Sequence, residues 1–242
     1  MKDLKIKGQP VTLVDQVEAR LLEYIKSEDL NPGSPMPNEQ TLAKSLGVAR
    51  GVLREALSRL RMLGLIETRT QRGMVLAEPS ILGGMLRVAD PVFLSEDSLF
   101  DVLEFRVALE LGISSDIFKK ITSKDIEQLE LIVDKGIILA HNEYELASEY
   151  AFHSKLYEIT GNQTIIQFQK IINPIINFVK DKFEENFKPI NIQLEKENRI
   201  VTHADLLESI KKGDVNAYRE KLDCHFLIYS KFLKQKKTVI KN

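Results

Sequence analysis

Residues 38–64 have the sequence NEQTLAKSLGVARGVLREALSRLRMLG, which contains two consecutive helix signals. Asn38 is a favourable N-cap and Gly47 a favourable C-terminal stop, so a short helix is predicted between them. A longer helix is predicted from about Ala49 to Leu63, because apolar residues recur there at helical spacing and Gly64 follows. Two helices joined at a glycine, the second with arginines near its start, are typical of a helix-turn-helix, whose second helix enters the major groove of DNA.

The flanking residues extend this pattern to a small domain. An amphipathic helix is predicted over about Thr12 to Glu28, and the prolines at 35 and 37 predict irregular backbone before the short helix. After the longer helix, alternating residues predict two strands, 65–69 and 74–76, around a turn at residues 71–73. Together these elements predict a winged helix-turn-helix over residues 1–78, with the strand pair as the wing.

Charge is distributed unevenly along the chain. The formal net charge of -1 at pH 7 by itself argues against a nucleic-acid partner. Residues 44–73, however, include seven basic and two acidic side chains, whereas residues 79–242 include 22 basic and 25 acidic ones. A basic patch on the predicted helix-turn-helix favours DNA as its partner. Solvated arginines on an ordinary surface helix are the alternative that charge alone leaves open.

The rest of the chain is helical in period. Residues 79–91, with Gly83, Gly84 and Pro91, are predicted to be a linker, and residues 92–237 an all-helical domain. Six helices are predicted there from apolar spacing and from the breaks between them: 95–120, 123–139, 143–160, 165–185, 193–212 and 215–236. The predicted fold class is therefore mainly α, with one small β-hairpin and a C-terminal helical bundle. The absence of a membrane-span pattern and the single cysteine, Cys224, favour a cytoplasmic protein.

Three histidines and one glutamate have spacings that bring them together. Glu149 and His153 are four residues apart and project from one helix face. His203 and His225 lie at similar distances on either side of a turn at residues 213–214, so an antiparallel helix hairpin would bring their rings level. Three imidazoles and a carboxylate suit zinc, nickel, iron or manganese. Separate structural positions on a helix face or in the core are the alternative for each histidine.

The first domain closely resembles the winged helix of the GntR family. The resemblance rests on PGSPMPNEQTLA at 32–43, LGVAR at 46–50, LREAL at 53–57, Leu60, GLI at 64–66 and RG at 72–73. In that family the arginines that correspond to Arg50 and Arg54 contact DNA, and the wing glycine that corresponds to Gly73 lies close to the groove. The predicted DNA-binding set is Gln40, Lys44, Arg50, Arg54, Arg72 and Gly73.

The sequence departs from the family pattern in three places, four residues in all. Gln40 stands where many members have an arginine, Ala49 replaces a capping Ser or Thr, and Gly51-Val52 replaces the usual Thr-Pro or Ser-Pro. These departures bear on the operator sequence and the affinity, not on the role of the domain.

Residues 92–236 resemble the FCD effector domain of the FadR subfamily. The resemblance rests on RVALE at 106–110, FH at 152–153, GN at 161–162, and residues 199–203, 213–214 and His225. Members that hold a metal usually present an aspartate where Glu149 stands. Arg106 is the candidate for binding an effector carboxylate, and a salt bridge to Glu110 one turn on is the alternative. His141, next to a predicted helix end, is expected to interact with the helix dipole rather than with a metal.

The sequence thus predicts a DNA-binding transcriptional regulator, not an enzyme. It is expected to act as a homodimer on double-stranded operator DNA, and to sense a small molecule, a carboxylate bound at a divalent metal ion. Two alternatives remain: a metal-dependent hydrolase or oxygenase, and a ligand-free architectural DNA-binding dimer. The sequence contains no nucleophile motif, phosphate loop or HExxH element that would favour the enzyme.

Overall fold

The structure is a computed structural model, which describes residues 12–80, 82–138 and 144–240. It divides into two compact units, one up to residue 84 and one from residue 85 onward. This division falls inside the predicted linker, residues 79–91, and the domain bounds themselves stay a prediction. Within the described ranges, no helix combines the length and the apolar character that a bilayer span requires.

The described residues of the first unit, 12–80 and 82–84, form three helices and a two-stranded antiparallel sheet. Its elements are α1 (Leu13–Ser27), α2 (Glu39–Leu46), α3 (Arg50–Met62), β1 (Ile66–Arg69) and β2 (Gly73–Leu76). In the sheet Ile66 pairs with Leu76, and Arg69 pairs with Gly73. The apolar faces of α1 and α3 pack together over a core that includes the fully buried Leu53, Leu57 and Leu60. These elements confirm the predicted winged helix-turn-helix fold.

Local sequence explains where the three helices begin and end. Thr12 and Asp15 form a capping box at the start of α1, in which each side chain accepts a hydrogen bond from the other residue's backbone N–H. Asn38 caps α2, and Gly47 ends it in the left-handed conformation with φ +66°. Ala49 precedes α3 and gives it no side-chain cap, as its departure from the family pattern implies.

The backbone before α2 forms no helix or strand, as predicted, but it does pair with β2. The N–H groups of Gly33 and Met36 donate to carbonyl oxygens of β2 at 2.7 and 2.8 Å, and Pro35 forms a bridge with Val75. Pro35 is tolerated because it lies at the edge of the sheet, where its missing N–H interrupts no central ladder. The segment therefore lies along β2 and extends the pairing of the wing by a short stretch of backbone contacts.

The second unit consists of helices. They are α4 (Met85–Val88), a short 3-10 helix (Pro91–Phe93), α5 (Glu96–Lys120), α6 (Ser123–Lys135), α7 (Leu146–Ile159), α8 (Gln163–Lys182), α9 (Glu184–Lys196), α10 (His203–Lys211), α11 (Val215–His225) and α12 (Leu227–Ile240). The long helix α5 packs against α7, α8, α11 and α12, and so lies at the centre of the bundle. The predicted all-helical fold of this part is confirmed.

Helix boundaries in the last third of the chain differ from the prediction. Pro189 was expected to separate two helices but lies inside α9, because the neighbouring Phe187, Ile190 and Leu194 are buried on one face. The break lies instead after α9, where Asn198 adopts φ +53°, a conformation that asparagine tolerates well.

A second break divides the predicted helix 215–236. It lies at the fully buried Phe226, between α11 and α12. The predicted break at His141-Asn142, and with it the expected role of His141, lies outside the described residues.

Candidate functional site

The predicted DNA-binding residues all lie in the first unit, and all of them are exposed. They occupy α2, the first two turns of α3, the turn between the strands and the start of β2: Gln40, Lys44, Arg50, Arg54, Arg72 and Gly73. Arg50 is the first residue of α3 and Arg54 lies one turn on. This is the part of a recognition helix that reaches base edges in the major groove.

Arg54 is oriented by a residue that the sequence analysis did not single out. Its Nε donates to Glu39 Oε2 at 2.8 Å, while the Arg54 side chain stays 65% exposed. Arg61 Nη2 lies 3.5 Å from the other oxygen of Glu39. The hydrogen bond from Arg54 lowers the pKa of Glu39, so this carboxylate stays ionised between α2 and α3. An exposed ion pair adds little stability, but it does restrict where Arg54 points.

The tip of the wing depends on left-handed backbone. Gly73 has φ +69° and Gln71 has φ +71°. A Cβ built at Gly73 would meet no atom within 4 Å, so the conformation rather than the space favours glycine there. The turn leaves Arg72 exposed beside a residue without a side chain.

In the second unit four side chains converge. Glu149 and His153 come from α7, His203 from the start of α10 and His225 from the end of α11. One potential ligand atom of each lies within 4.8 Å of the others. The α10–α11 hairpin places the rings of His203 and His225 with centroids 5.1 Å apart. His153 and His203 are 0% and 2% exposed, so the cluster is part of the interior.

Two nitrogen atoms of this cluster are unsatisfied. The Nε2 atoms of His153 and His203 are buried and have no hydrogen-bond partner among the described residues. Each lies 3.5 Å from an oxygen of Glu149, which is too far for a good hydrogen bond. Buried polar atoms are normally paired, and an unpaired one is costly. A metal ion among these atoms would satisfy both nitrogens, so the residues present fit such a group.

The protonation states suit metal coordination. Burial lowers the pKa of His203 to about 4. Burial, together with the nearby His203, lowers the pKa of His225 to about 3. Burial alone would raise the pKa of Glu149, but Lys180 and His153 hold it well below its usual range. At neutral pH His203 and His225 are therefore neutral imidazoles and Glu149 is a carboxylate, the forms that bind metal.

Arg106 lies beside this cluster with its donors already engaged. It is 1% exposed, and its Nε donates to Glu110 Oε1 at 2.8 Å. Its Nη2 donates to Glu149 Oε1 at 3.0 Å. The salt bridge to Glu110, the alternative role for Arg106, is thus present. Binding of an effector carboxylate by Arg106 stays a prediction.

A cavity borders the cluster, and its lining includes two cationic side chains that were not predicted from the sequence, Lys180 and Arg199. Its lining includes Glu149, His225, Lys180, Asn191, Arg199 and Tyr229. Lys180 Nζ lies 3.8 Å from Glu149 Oε1, and the Lys180 side chain is 17% exposed. The available signal was that Lys180 follows buried Ile176 by four residues, and so lies on the apolar face of α8. A lysine on such a face needs a partner inside the protein.

Comparison with known proteins gives the family. Residues 13–76 match the model for bacterial regulatory proteins of the gntR family, and residues 101–227 match the FCD domain. YcbG of Bacillus subtilis, an uncharacterized HTH-type transcriptional regulator, is 30% identical over 87% of this chain and 93% of its own length. LutR of the same organism, an HTH-type transcriptional regulator, is 28% identical over 68% of this chain and 74% of its own length.

A solved structure supports the fold. The GntR protein of Streptococcus agalactiae superposes with a TM-score of 0.53 at 24% identity, over 89% of this chain and 98% of that one. The relatives named here are regulators, which leaves the enzyme alternative without support. The winged helix, the helical bundle that follows it in the chain and these matches agree: the chain belongs to the GntR family and is a DNA-binding transcriptional regulator with an FCD effector-binding domain.

Proposed function

We propose that this regulator binds a divalent metal ion through Glu149, His153, His203 and His225, and senses a small carboxylate at that ion. The observation behind the proposal is the pair of buried, unpaired Nε2 atoms on His153 and His203. With His225 and the carboxylate of Glu149, they form a donor set of three nitrogens and one oxygen. Zinc, nickel, iron and manganese all accept such a set.

The charge of the surroundings supports an anionic effector. The buried or nearly buried cations Arg106 and Lys180 are matched by Glu110 and Glu149, so these four charges sum to zero. A divalent metal would add two positive charges to this interior, and an uncompensated buried charge is costly. An effector carboxylate in the adjoining cavity would offset part of that charge. Lys180, at the cavity wall, is placed to bind it alongside the metal.

The DNA-binding part of the proposal concerns the six residues of the first unit that are predicted to contact DNA. Arg50 and Arg54 are proposed to contact the major groove of DNA. Arg72 and Gly73 are proposed to contact the groove beside the wing. Gln40 and Lys44 are proposed to contact the flanking sugar-phosphate backbone. One winged helix reads only a short half-site, so the functional unit is proposed to be a homodimer on a two-fold symmetric operator. Sedimentation that shows only monomer, with and without operator, would exclude this arrangement.

Metal analysis of the natively purified protein tests the metal centre. We expect about one divalent ion per chain in the wild type, and loss of stoichiometric metal in His203→Ala and His225→Ala, because each removes one of four ligands. Tyr218→Phe is the matched control. It alters a buried residue whose hydroxyl has no hydrogen-bond partner in the described structure, and it leaves the four ligands intact. Full metal content in either alanine variant would show that the four-residue site is wrong.

A further inference from the structure

A carboxylate outside the proposed ligand set lies directly behind His153. Glu110 of α5 is 1% exposed, and its Oε2 lies 2.6 Å from His153 Nδ1. Its other oxygen, Oε1, accepts hydrogen bonds from Arg106 Nε at 2.8 Å and from the Tyr157 hydroxyl at 3.1 Å. Three neighbours therefore fix the position of this carboxylate in the interior of the bundle.

These contacts determine which nitrogen of His153 has the proton. A buried guanidinium needs a compensating negative charge, and the 2.8 Å salt bridge between Arg106 and Glu110 therefore makes Glu110 an ionised carboxylate. An ionised carboxylate has no proton to give, and a 2.6 Å contact with Nδ1 therefore requires the N–H on Nδ1. In a neutral imidazole the lone pair is then on Nε2. That is the atom of His153 that lies 3.5 Å from Glu149 and has no hydrogen-bond partner.

We propose that Glu110 is a positioning residue that holds His153 as the Nδ1–H tautomer, with the Nε2 lone pair directed at the metal centre. The inference rests on the proposed function and adds to it a residue that never touches the ion. His225 is held in a similar way by a neutral acceptor, since its Nδ1 lies 2.8 Å from the carbonyl oxygen of Val201. A charged acceptor behind a ligating histidine orients the ring and makes the ligand more basic.

Glu110→Gln tests the proposal with a change that keeps size and shape. Arg106 Nε and the Tyr157 hydroxyl both contact the Oε1 position, so the amide oxygen of the glutamine is expected there. The amide NH2 then faces His153 Nδ1 and needs an acceptor. His153 must switch to the Nε2–H tautomer, whose lone pair is on Nδ1, so that Nε2 has none to offer a metal.

Two measurements on the full chain give the outcome. Nitrogen-15 NMR of the metal-free protein should show His153 protonated on Nδ1 in the wild type and on Nε2 in Glu110→Gln. The affinity for zinc, measured by competition with a chelator, should fall about 10- to 100-fold in the variant. A purely structural role for Glu110 would lower thermal stability without moving the tautomer.

Tyr218→Phe is the matched control, because it alters a buried tyrosine whose hydroxyl has no hydrogen-bond partner among the described residues and leaves every hydrogen bond of Glu110 intact. It should keep the Nδ1–H tautomer and the wild-type zinc affinity. Wild-type His153 protonated on Nε2, or unchanged zinc affinity in Glu110→Gln, would overturn the proposal. If Glu110→Gln does not fold, the wild-type tautomer alone decides. If the wild type takes up no zinc, the metal centre is wrong, and the tautomer still decides whether Glu110 sets the state of His153.

Discussion

At the scale of single residues, Arg50 and Arg54 are expected to determine operator affinity. Both are exposed on the first two turns of α3, and neither is part of the core. Arg50→Ala and Arg54→Ala should each weaken operator binding by about 1–3 kcal/mol if the arginine contacts a base, with the fold intact. A phosphate contact would mainly reduce the dependence of binding on salt.

Fluorescence anisotropy with an operator selected from random-sequence DNA, at several salt concentrations, distinguishes the two kinds of contact. Arg20→Ala serves as the control, since Arg20 is an exposed arginine of α1 that forms an ion pair with its neighbour Glu23. Unchanged binding in both α3 variants would exclude this helix from the groove.

The buried histidines predict how stability depends on pH. His203 and His225 have pKa values lowered by burial to about 4 and about 3, whereas an unfolded chain has the ordinary histidine value of about 6.5. Between pH 6.5 and about 4 the unfolded chain therefore binds more protons than the folded one. The free energy of unfolding of the metal-free protein should fall as the pH is lowered through this window.

Urea unfolding in the presence of a chelator, at a series of pH values, measures this slope. His203→Asn should make it shallower, because one of the two groups no longer titrates. Titration of the buried carboxylates Glu149 and Glu110 does not contribute to this slope above pH 5. The pKa of Glu149 is held well below its usual range, and that of Glu110, which burial would raise, is lowered by His153 and Arg106 to about 2. Stability that rises on acidification from pH 7 to 5 would contradict the assignment.

At the scale of secondary-structure elements, the start of α3 lacks an interaction that α2 has. Asn38 caps α2, whereas Ala49 leaves α3 uncapped in an extended conformation that suits a capping serine. Ala49→Ser should stabilise α3 by about 1 kcal/mol, and Asn38→Ala should destabilise α2 by a similar amount. Hydrogen exchange of the α2 and α3 amides measures both. Equal protection of α3 in wild type and Ala49→Ser would show that the missing cap has no cost.

The elements also show what sequence can and cannot predict. Caps and glycines are local signals, so α1, α2 and α3 were predicted to within one or two residues. Pro189 is a local signal too, but burial of its neighbours on one face of α9 outweighed it. The spacing of Glu149, His153, His203 and His225 predicted their convergence from one helix and one hairpin. The salt bridge between Glu110 and Arg106 follows from their spacing on one helix. The contacts of Glu110 with His153 and of Lys180 with Glu149 could not be predicted, because they depend on how α5 and α8 pack against α7.

At the scale of the whole molecule, the two units must be coupled for the protein to regulate. An effector changes DNA affinity only if it binds two arrangements of the protein unequally, and such couplings are typically about 1–3 kcal/mol. The proposed ligands belong to α7, α10 and α11. A metal with a bound carboxylate would therefore hold three helices of the second unit together, which is a means of favouring one arrangement.

The most direct test is the operator affinity of metal-loaded wild type and His225→Ala, each with and without a fixed panel of small mono- and dicarboxylates. We predict that at least one carboxylate changes the wild-type affinity by about 5- to 150-fold, and that His225→Ala binds operator but does not respond. Arg50 and Arg54 are intact in this variant, so its operator binding should persist. A full response in His225→Ala, or no response of the wild type to any member of the panel, would contradict a metal-centred carboxylate sensor.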